Sequence, residues 1–141
     1  MTYEIFRITK ENAPFLCEVD PDIFDEVVDL ERTLAFLSAP NHLLVVARIG
    51  SLVIGQVRAI IHMQPDGLNQ LYIDNLGVAP AHHRQGIATA LLREVFLWGK
   101  ANDCIDAWVA TEPDNEAAHA LYNRFRKSPV EVMSYFELDL G

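Results

Sequence analysis

Residues 72–92 read YIDNLGVAPAHHRQGIATALL and combine the end of a strand, a turn and the start of a helix. The β-branched and aromatic residues of 70–78 are typical of a strand. From Gly86 onward, apolar residues recur at helical spacing as far as Ala101. A turn that enters a helix presents free backbone N–H groups at the positive end of the helix dipole. The segment therefore predicts an anion-binding turn at 84–86.

The rest of the chain predicts an α+β fold in which an antiparallel meander leads into a βαβ unit. Apolar runs at 42–49 and 52–63 are joined by Gly50-Ser51, which indicates a hairpin. Gly55 lies inside the second run and indicates a bulge or a close backbone approach. The other elements that we expect are strands at 3–9, 104–111 and 130–140, helix and loop within 11–38, and a helix at 114–126 that Asp114 or Asn115 caps.

The composition is that of a soluble globular protein. The chain has 141 residues, of which 50% are hydrophobic and 22% are charged, so we expect a single domain over 1–141 with its own core. An excess of 20 Asp and Glu over 11 Lys and Arg gives a net charge of −9. Such a chain repels phosphate backbones, so we expect no nucleic-acid partner and a preference for cationic ligands.

Two cysteines, Cys17 and Cys104, lie far apart and have no metal-ligand spacing, which favours a reduced, cytoplasmic setting. His82-His83 lacks the further ligands that a metal site requires, so no metal is expected. The most apolar run, 52–61, contains Gln56 and Arg58, and the N-terminal residues have no signal-peptide pattern. Neither secretion nor attachment to a membrane is predicted.

Two motifs resemble those of the GNAT superfamily of acetyl-coenzyme A-dependent N-acetyltransferases. HRQGIA, at 83–88, is similar to its signature Q/R-x-x-G-x-G/A, with His83 where the family has Arg or Gln. DNEAAHALY, at 114–122, resembles its N-x-x-A-x-x-L-Y element, although FRKSP replaces the glycine and phenylalanine that usually follow. The resemblance implies a GNAT fold: a mixed, mostly antiparallel sheet of six to seven strands flanked by about four helices.

The resemblance also implies where acetyl-coenzyme A binds. Gly86 would let the backbone approach the pyrophosphate, and Ala88 would leave the next helical turn uncovered. The pantetheine arm would pair with the main chain of the preceding strand end, where Gly77 suits a backbone close to a ligand. The cofactor-binding residues that we expect are Leu76, Gly77, Val78, His83, Arg84, Gln85, Gly86, Ile87, Ala88 and Asn115.

Acetyl transfer to an amine needs a base, because an alkylammonium is not nucleophilic. Asp74 is our first choice, and the alternative is a solvent-facing Asp near a strand end. The family places an acid at Asn75, which we assign to substrate binding; in a regular strand only one of these neighbours faces a given cleft. By resemblance, Tyr122 protonates the departing thiolate. The alternative is that Tyr122 is a core aromatic.

Acidic residues are concentrated at 18–31 and form either a solvated helix face or an acceptor site. Loops in this region cover the acceptor side in the family, and several carboxylates would match several ammonium groups. We therefore expect Asp25 and Glu26 to bind substrate. Glu112 is a further candidate, as a substrate-binding acid or second base, or simply as an acid at a helix entry.

Within the superfamily, LYIDNLGVAP, HRQGIATALL, ALY and EVMSYFELD resemble type I aminoglycoside 3-N-acetyltransferases. This resemblance implies transfer of acetyl to the 3-amino group of an aminoglycoside, a polycationic small molecule, and hence antibiotic resistance. The alternatives are another small amine, a protein N-terminus, or an inactive coenzyme A-binding sensor. Superfamily members often form homodimers, so a homodimer is a further expectation.

Overall fold

A five-stranded sheet in the order β1-β2-β3-β4-β5 forms the centre of the computed structural model, which describes residues 2–141. The strands are β1 (Glu4–Arg7), β2 (His42–Ile49), β3 (Leu52–Gln64), β4 (Gly67–Val78) and β5 (Cys104–Trp108). Neighbours pair antiparallel up to β4, and β5 pairs parallel to β4. The predicted α+β class with a mixed, mostly antiparallel sheet is confirmed, with five strands in place of six to seven.

Residues 2–141 contain three α-helices and two short 3₁₀-helices, against about four helices predicted. They are α1 (Leu30–Ser38), α2 (Ile87–Ala101) and α3 (Glu116–Asn123), with 3₁₀-helices at Ala13–Cys17 and Pro80–His82. Asp29 starts α1, because its carboxylate accepts a hydrogen bond from the Arg32 N–H at 3.1 Å. No helix of residues 2–141 is both long and apolar enough to cross a bilayer.

The chain divides into two compact units, which are described separately. The first extends to Ala110 and holds the whole sheet with α1 and α2, and the second begins at Thr111 and holds α3. In the first unit α2 packs on one face of the sheet. The pairing of β2 with β3 skips Ile54, so the bulge predicted at Gly55 is confirmed next to it, and an added Cβ at Gly55 would lie 3.2 Å from Ile87 Cγ2. Buried residues of this core include Val45, Val57, Ile87, Leu91, Leu92 and Val95.

Residues 18–31, here called the acidic segment, begin against β3 and end in the first turn of α1. Backbone bonds of 2.9 Å join the Val53 N–H to the Glu18 carbonyl and the Asp20 N–H to the Val53 carbonyl. These bonds hold the start of the segment on β3. The helical spacing that includes Phe24 and Val27 does not produce a helix, because this stretch has only turns, bends and irregular backbone. Val27 is 93% exposed, and helical geometry begins only at Leu30.

In the second unit, Asn115 is the N-cap of α3 and accepts a hydrogen bond from the Ala118 N–H at 3.0 Å. Asn115 was one of the two caps predicted for this helix. The strand predicted at 130–140 is wrong for the described structure, since this segment carries exposed apolar side chains and no backbone pairing. Alternating polarity gives a segment the capacity to form a strand, but a strand exists only where another backbone pairs with it.

Candidate active site

A β-bulge places Asp74 and Asn75 on the same face of the sheet. Arg58 is paired with Asn75 while the next residue of β3, Ala59, is paired with Ile73, so Asp74 is an extra residue in β4. The expectation that only one of the two neighbours could face a given cleft is therefore wrong. Strict alternation holds only for a strand without an inserted residue.

Asp74, the candidate base, forms an ion pair with Arg58. Arg58 Nε lies 2.5 Å from Asp74 Oδ2, and the two side chains are 37% and 30% exposed. The guanidinium fixes the direction of the carboxylate while part of it stays accessible to solvent. Asp74 is thus oriented by Arg58 and stays partly exposed, so both the base and the solvent-facing Asp considered for it remain open.

Asn75 and Asp25, both predicted to bind substrate, are in direct contact. Asn75 Nδ2 donates to Asp25 Oδ2 at 3.3 Å. Asn75 Oδ1 in turn accepts from Gln56 Nε2 at 2.6 Å, and the same nitrogen donates to the Ile23 carbonyl at 2.9 Å. The acidic segment is therefore attached to the face of the sheet that carries Asp74, while Glu26 is exposed.

Sequence reasoning did not assign Gln56 or Arg58 a role in this site. Both interrupt the most apolar run of the chain, and that interruption was the available signal. Two residues apart on β3, they share the face on which Asp74 and Asn75 lie. A polar residue in an otherwise buried strand needs a partner, so it marks a contact made across the sheet.

Strand β5 pairs with the first half of β4 only. The pairing ends at Tyr72 and Trp108, whose rings stack with centroids 4.1 Å apart. Beyond this point β4 continues through Leu76, Gly77 and Val78 without β5 beside it. Its main chain on that side can pair with an extended ligand, as was predicted for the pantetheine arm.

Gly77 makes room for the protein's own backbone rather than for a ligand. A Cβ at this position would collide with the carbonyl oxygen of Ile23 in the acidic segment. The close approach predicted from this glycine is therefore present, but the backbone that approaches it belongs to residue 23. The main chain of Gly77 keeps its place in the part of β4 that β5 does not cover.

The turn before α2 has the geometry that an anion site requires. Arg84 and Gly86 have φ angles of 61° and 78°, and no side chain caps the first turn of α2. A Cβ on Gly86 would meet nothing within 4 Å, so the space over the helix end is open. The open turn, the helix dipole and the nearby guanidinium fit a pyrophosphate.

Other predicted cofactor residues of this turn have distinct surroundings. His83 and Gln85 are exposed, and the His83 ring nitrogen Nε2 lies 2.8 Å from the Val78 carbonyl, which joins the turn to the end of β4. The Ile87 side chain is buried in the core, so only its backbone can serve a ligand. Ala88 is half-buried and adds no bulk to the helix end.

The second unit contains the remaining predicted residues. The Asn115 side chain caps α3, and the exposed Glu112 accepts hydrogen bonds at its backbone carbonyl from the Asn115 N–H, with the His119 ring also within 3.2 Å. Tyr122 is half-buried, and this burial raises the pKa of its hydroxyl. No group of His, Cys, Asp or Glu within residues 2–141 is arranged to hold a metal ion.

The sheet thus has a strand, β4, that extends beyond the end of its neighbour β5 and leads into an open helix N-terminus. The acetyltransferase (GNAT) family matches residues 3–126, so the chain belongs to this family. An aminoglycoside N(6')-acetyltransferase type 1 from Acinetobacter haemolyticus is 31% identical over 65 residues. That match covers 46% of this chain and 45% of the relative, so the chain spans less than half of the relative's length.

Solved structures show the same fold. An aminoglycoside acetyltransferase from an uncultured soil metagenomic sample, in complex with sisomicin, has a TM-score of 0.83 at 18% identity, covering 99% of this chain and 97% of that one. AAC(6')-Iy with a bisubstrate analogue built on coenzyme A has a TM-score of 0.81 at 17% identity, covering 99% of each chain. The relatives named with a position are of the 6'-type, so the predicted 3-N subtype is not supported.

Proposed function

We propose that this chain is an acetyl-coenzyme A-dependent N-acetyltransferase whose acceptor is an aminoglycoside, with 1–141 acting as a single domain. One observation carries the proposal: Asp74, Asn75 and Asp25 share the face of β4 at the point where this strand leaves β5. Carboxylates for a cationic amine therefore adjoin the backbone on which an acyl carrier would lie.

Acetyl-coenzyme A supplies the acetyl group as an activated thioester. The turn at 84–86 would hold its pyrophosphate, because the backbone there is open and the helix dipole favours an anion. The main chain of Leu76, Gly77 and Val78 would pair with the pantetheine arm. Asn115 is the remaining candidate by family resemblance, and its amide already caps α3.

The acidic segment supplies charge for the acceptor. Each exposed carboxylate attracts an ammonium group by about 1 kcal/mol in water and by more in a cleft. Asp25, held by Asn75, is the best-defined contact, and Glu26 provides a further carboxylate of the same segment. Glu112, in the second unit, is a candidate by family resemblance alone. A polycation gains from several such contacts at once, whereas a monoamine gains from one.

Acetyl transfer to an ammonium acceptor removes two protons from the nitrogen, one before its attack and one to solvent as the amide forms, and delivers one proton to the departing thiolate. Asp74 would take the proton from the ammonium, directly or through water, so that the free amine attacks the thioester carbonyl. Tyr122 would give a proton to the departing thiolate. Because burial raises the pKa of Tyr122, its hydroxyl keeps that proton at neutral and moderately alkaline pH.

For the acetylated position, our proposal is based on the named relatives and differs from the 3-amino group that the motifs implied. The 6'-amino group is the proposed site, since the aminoglycoside relatives named with a position are of the 6'-type. The 3-amino group implied by the motifs is the first competitor. Another small amine, a protein N-terminus, or coenzyme A binding without transfer complete the alternatives.

Turnover of acetyl-coenzyme A against kanamycin, spermidine and a lysine peptide tests this function, with released thiol as the readout. Acetylation of kanamycin, mapped to the 6'-amine, is the expected result. Mapping to the 3-amine would restore the narrower prediction. Turnover with spermidine or the peptide but not with kanamycin would exclude an aminoglycoside as the acceptor. Binding of coenzyme A without any turnover would indicate a sensor.

We also propose a reduced, cytoplasmic protein that forms a homodimer and contributes to antibiotic resistance. Cys17 and Cys104 are both free thiols, which suits a reducing compartment. Several apolar side chains of 130–140 are exposed, as in a surface that another chain covers. Light scattering should give twice the 15.9 kDa of one chain, and expression in a susceptible bacterium should raise its tolerance to kanamycin.

A further inference from the structure

Gln56 is the most deeply buried polar side chain of the sheet face that carries the candidate site. It is 0% exposed and lies in β3 among residues that are themselves fully buried. A buried amide is costly unless its hydrogen bonds are made. Gln56 Oε1 has no hydrogen-bond partner among residues 2–141. The cost of burying this amide is therefore offset only by the hydrogen bonds that its nitrogen makes.

The hydrogen bonds of this nitrogen have a fixed direction. The Ile23 carbonyl can only accept, so it must face Gln56 Nε2 rather than Oε1. The second hydrogen of the same nitrogen points to Asn75 Oδ1. Asn75 is thereby turned so that its own nitrogen donates to the carboxylate of Asp25, which can only accept when ionised.

The acidic segment meets the sheet at three places, one along the edge of β3 and two on the face that carries Asn75. Its start pairs with the backbone of Val53, its middle lies over Gly77 and bonds to Gln56, and Asp25 contacts Asn75. Gln56 belongs to the second attachment directly and to the third through Asn75. Gln56 thereby joins the Ile23 backbone to Asn75, which holds the Asp25 carboxylate.

We propose that Gln56 is a positioning residue that fastens the acidic segment to the sheet and, through Asn75, directs the Asp25 carboxylate toward an ammonium group of the acceptor. The proposal rests on the proposed function for the nature of the acceptor. The fastening itself is a property of the folded chain and can be measured without any substrate.

Amide hydrogen exchange of the Gln56→Leu variant tests whether Gln56 holds the acidic segment on the sheet. Exchange over the acidic segment should rise about tenfold, as expected when one or two hydrogen bonds are lost, while exchange in α2 should stay unchanged. Gln56→Met keeps the length of the side chain but has no N–H to donate, and it should give the same pattern. The control is Gln64→Leu, the same change near the end of the same strand, where Gln64 bonds only to the Leu68 carbonyl of the hairpin.

Steady-state kinetics tests whether Gln56 orients the Asp25 carboxylate toward the acceptor. For Gln56→Leu, the KM for kanamycin should rise about tenfold, while kcat and the KM for acetyl-coenzyme A stay within about twofold. Adding Gln56→Leu to Asp25→Asn should change the acceptor KM by less than about twofold, because both changes act on one chain of contacts. Fully additive effects would show that Gln56 does not act through Asp25.

The outcomes separate this proposal from the proposed function. Unchanged exchange over the acidic segment in both Gln56 variants overturns the fastening, whatever the kinetics show. Faster exchange with an unchanged acceptor KM overturns the positioning role. If wild-type protein acetylates no amine, the proposed function fails, and calorimetric binding of kanamycin to wild type and Gln56→Leu takes the place of the KM comparison.

Discussion

Asp74 combines two roles in one carboxylate, since it pairs with Arg58 and stands as the candidate base. Asp74→Asn keeps the shape and the hydrogen bond to Arg58 but removes the group that accepts a proton. We expect kcat to fall at least about tenfold, within the range of general-base catalysis, with acetyl-coenzyme A binding retained. Asp66→Asn, in the turn between β3 and β4, is the control. Unchanged turnover would exclude Asp74 as the base.

The proposed role of Tyr122 as a proton donor predicts how kcat of a Tyr122 variant depends on pH. Burial raises the pKa of its hydroxyl above the ordinary value of about 10, so the hydroxyl remains a donor over the whole neutral and moderately alkaline range. Tyr122→Phe should lower kcat at least about tenfold, and the ratio of wild-type to variant kcat should stay constant from pH 7 to about 9.5. Tyr135→Phe, at an exposed position, should have no effect. A ratio that collapses near pH 8 would point to another donor.

Residue types at the site could be predicted from sequence, but their shared orientation could not. Asp74, Asn75 and Asp25 were recognised from motif and charge, and the structure brings them to one face. The bulge that does so has no signature in an alternating pattern, because an inserted residue looks like any other strand residue. Gln56 was missed for a related reason: its partners, the Ile23 carbonyl and Asn75, are distant in the chain.

The turn into α2 owes its shape to Gly86. Its φ of 78° suits glycine and costs a side chain about 1 kcal/mol, although a Cβ there would meet no neighbour. Gly86→Ala should therefore raise the KM for acetyl-coenzyme A about fivefold and leave the acceptor KM unchanged. Gly67→Ala, in β4 with room for a Cβ, is the control. An unchanged KM for acetyl-coenzyme A would mean that the anion binds elsewhere.

The acidic segment can lie on β4 only because residue 77 has no side chain. In Gly77→Ala the new methyl would collide with the Ile23 carbonyl, so the segment must move away. We expect a loss of about 1–3 kcal/mol in unfolding free energy, measured by thermal denaturation, and a higher acceptor KM. The same alanine at Gly67 should change neither. A variant that denatures like the wild type would show that the segment does not press on this strand.

Secondary-structure elements with a strong period were predicted closely. β2 begins and ends where the apolar run does, and α2 starts one residue after the glycine that ends the turn. The closing segment, 130–140, was predicted as a strand because it alternates, yet the described structure pairs it with nothing. Periodicity reports what a segment is able to form, and pairing depends on the rest of the assembly.

The molecule as a whole carries a charge of −9, and this charge should be visible in the kinetics. Raising NaCl from about 0.01 M to about 1 M shortens the Debye length from roughly 30 Å to roughly 3 Å. For a polycationic acceptor, kcat/KM should fall at least about tenfold over that range, since attraction by the acidic segment is screened. A monoamine should lose much less. Equal salt dependence for both acceptors would remove electrostatic selection from the explanation.

Asp74, the inserted residue of β4, is not needed for the pairing of β4 with β3. An extra residue in a regular strand would turn every following side chain to the wrong face. Here Ile73 stays opposite Ala59 and Asn75 opposite Arg58, so both flanks of Asp74 are already in register with β3. Deletion of the codon for Asp74 would make the pairing of β3 with β4 regular at this point. Ile73 and Asn75 would each stay on the face that they now occupy. The fold can therefore gain or shed its candidate base by one codon, without rebuilding the sheet that holds it.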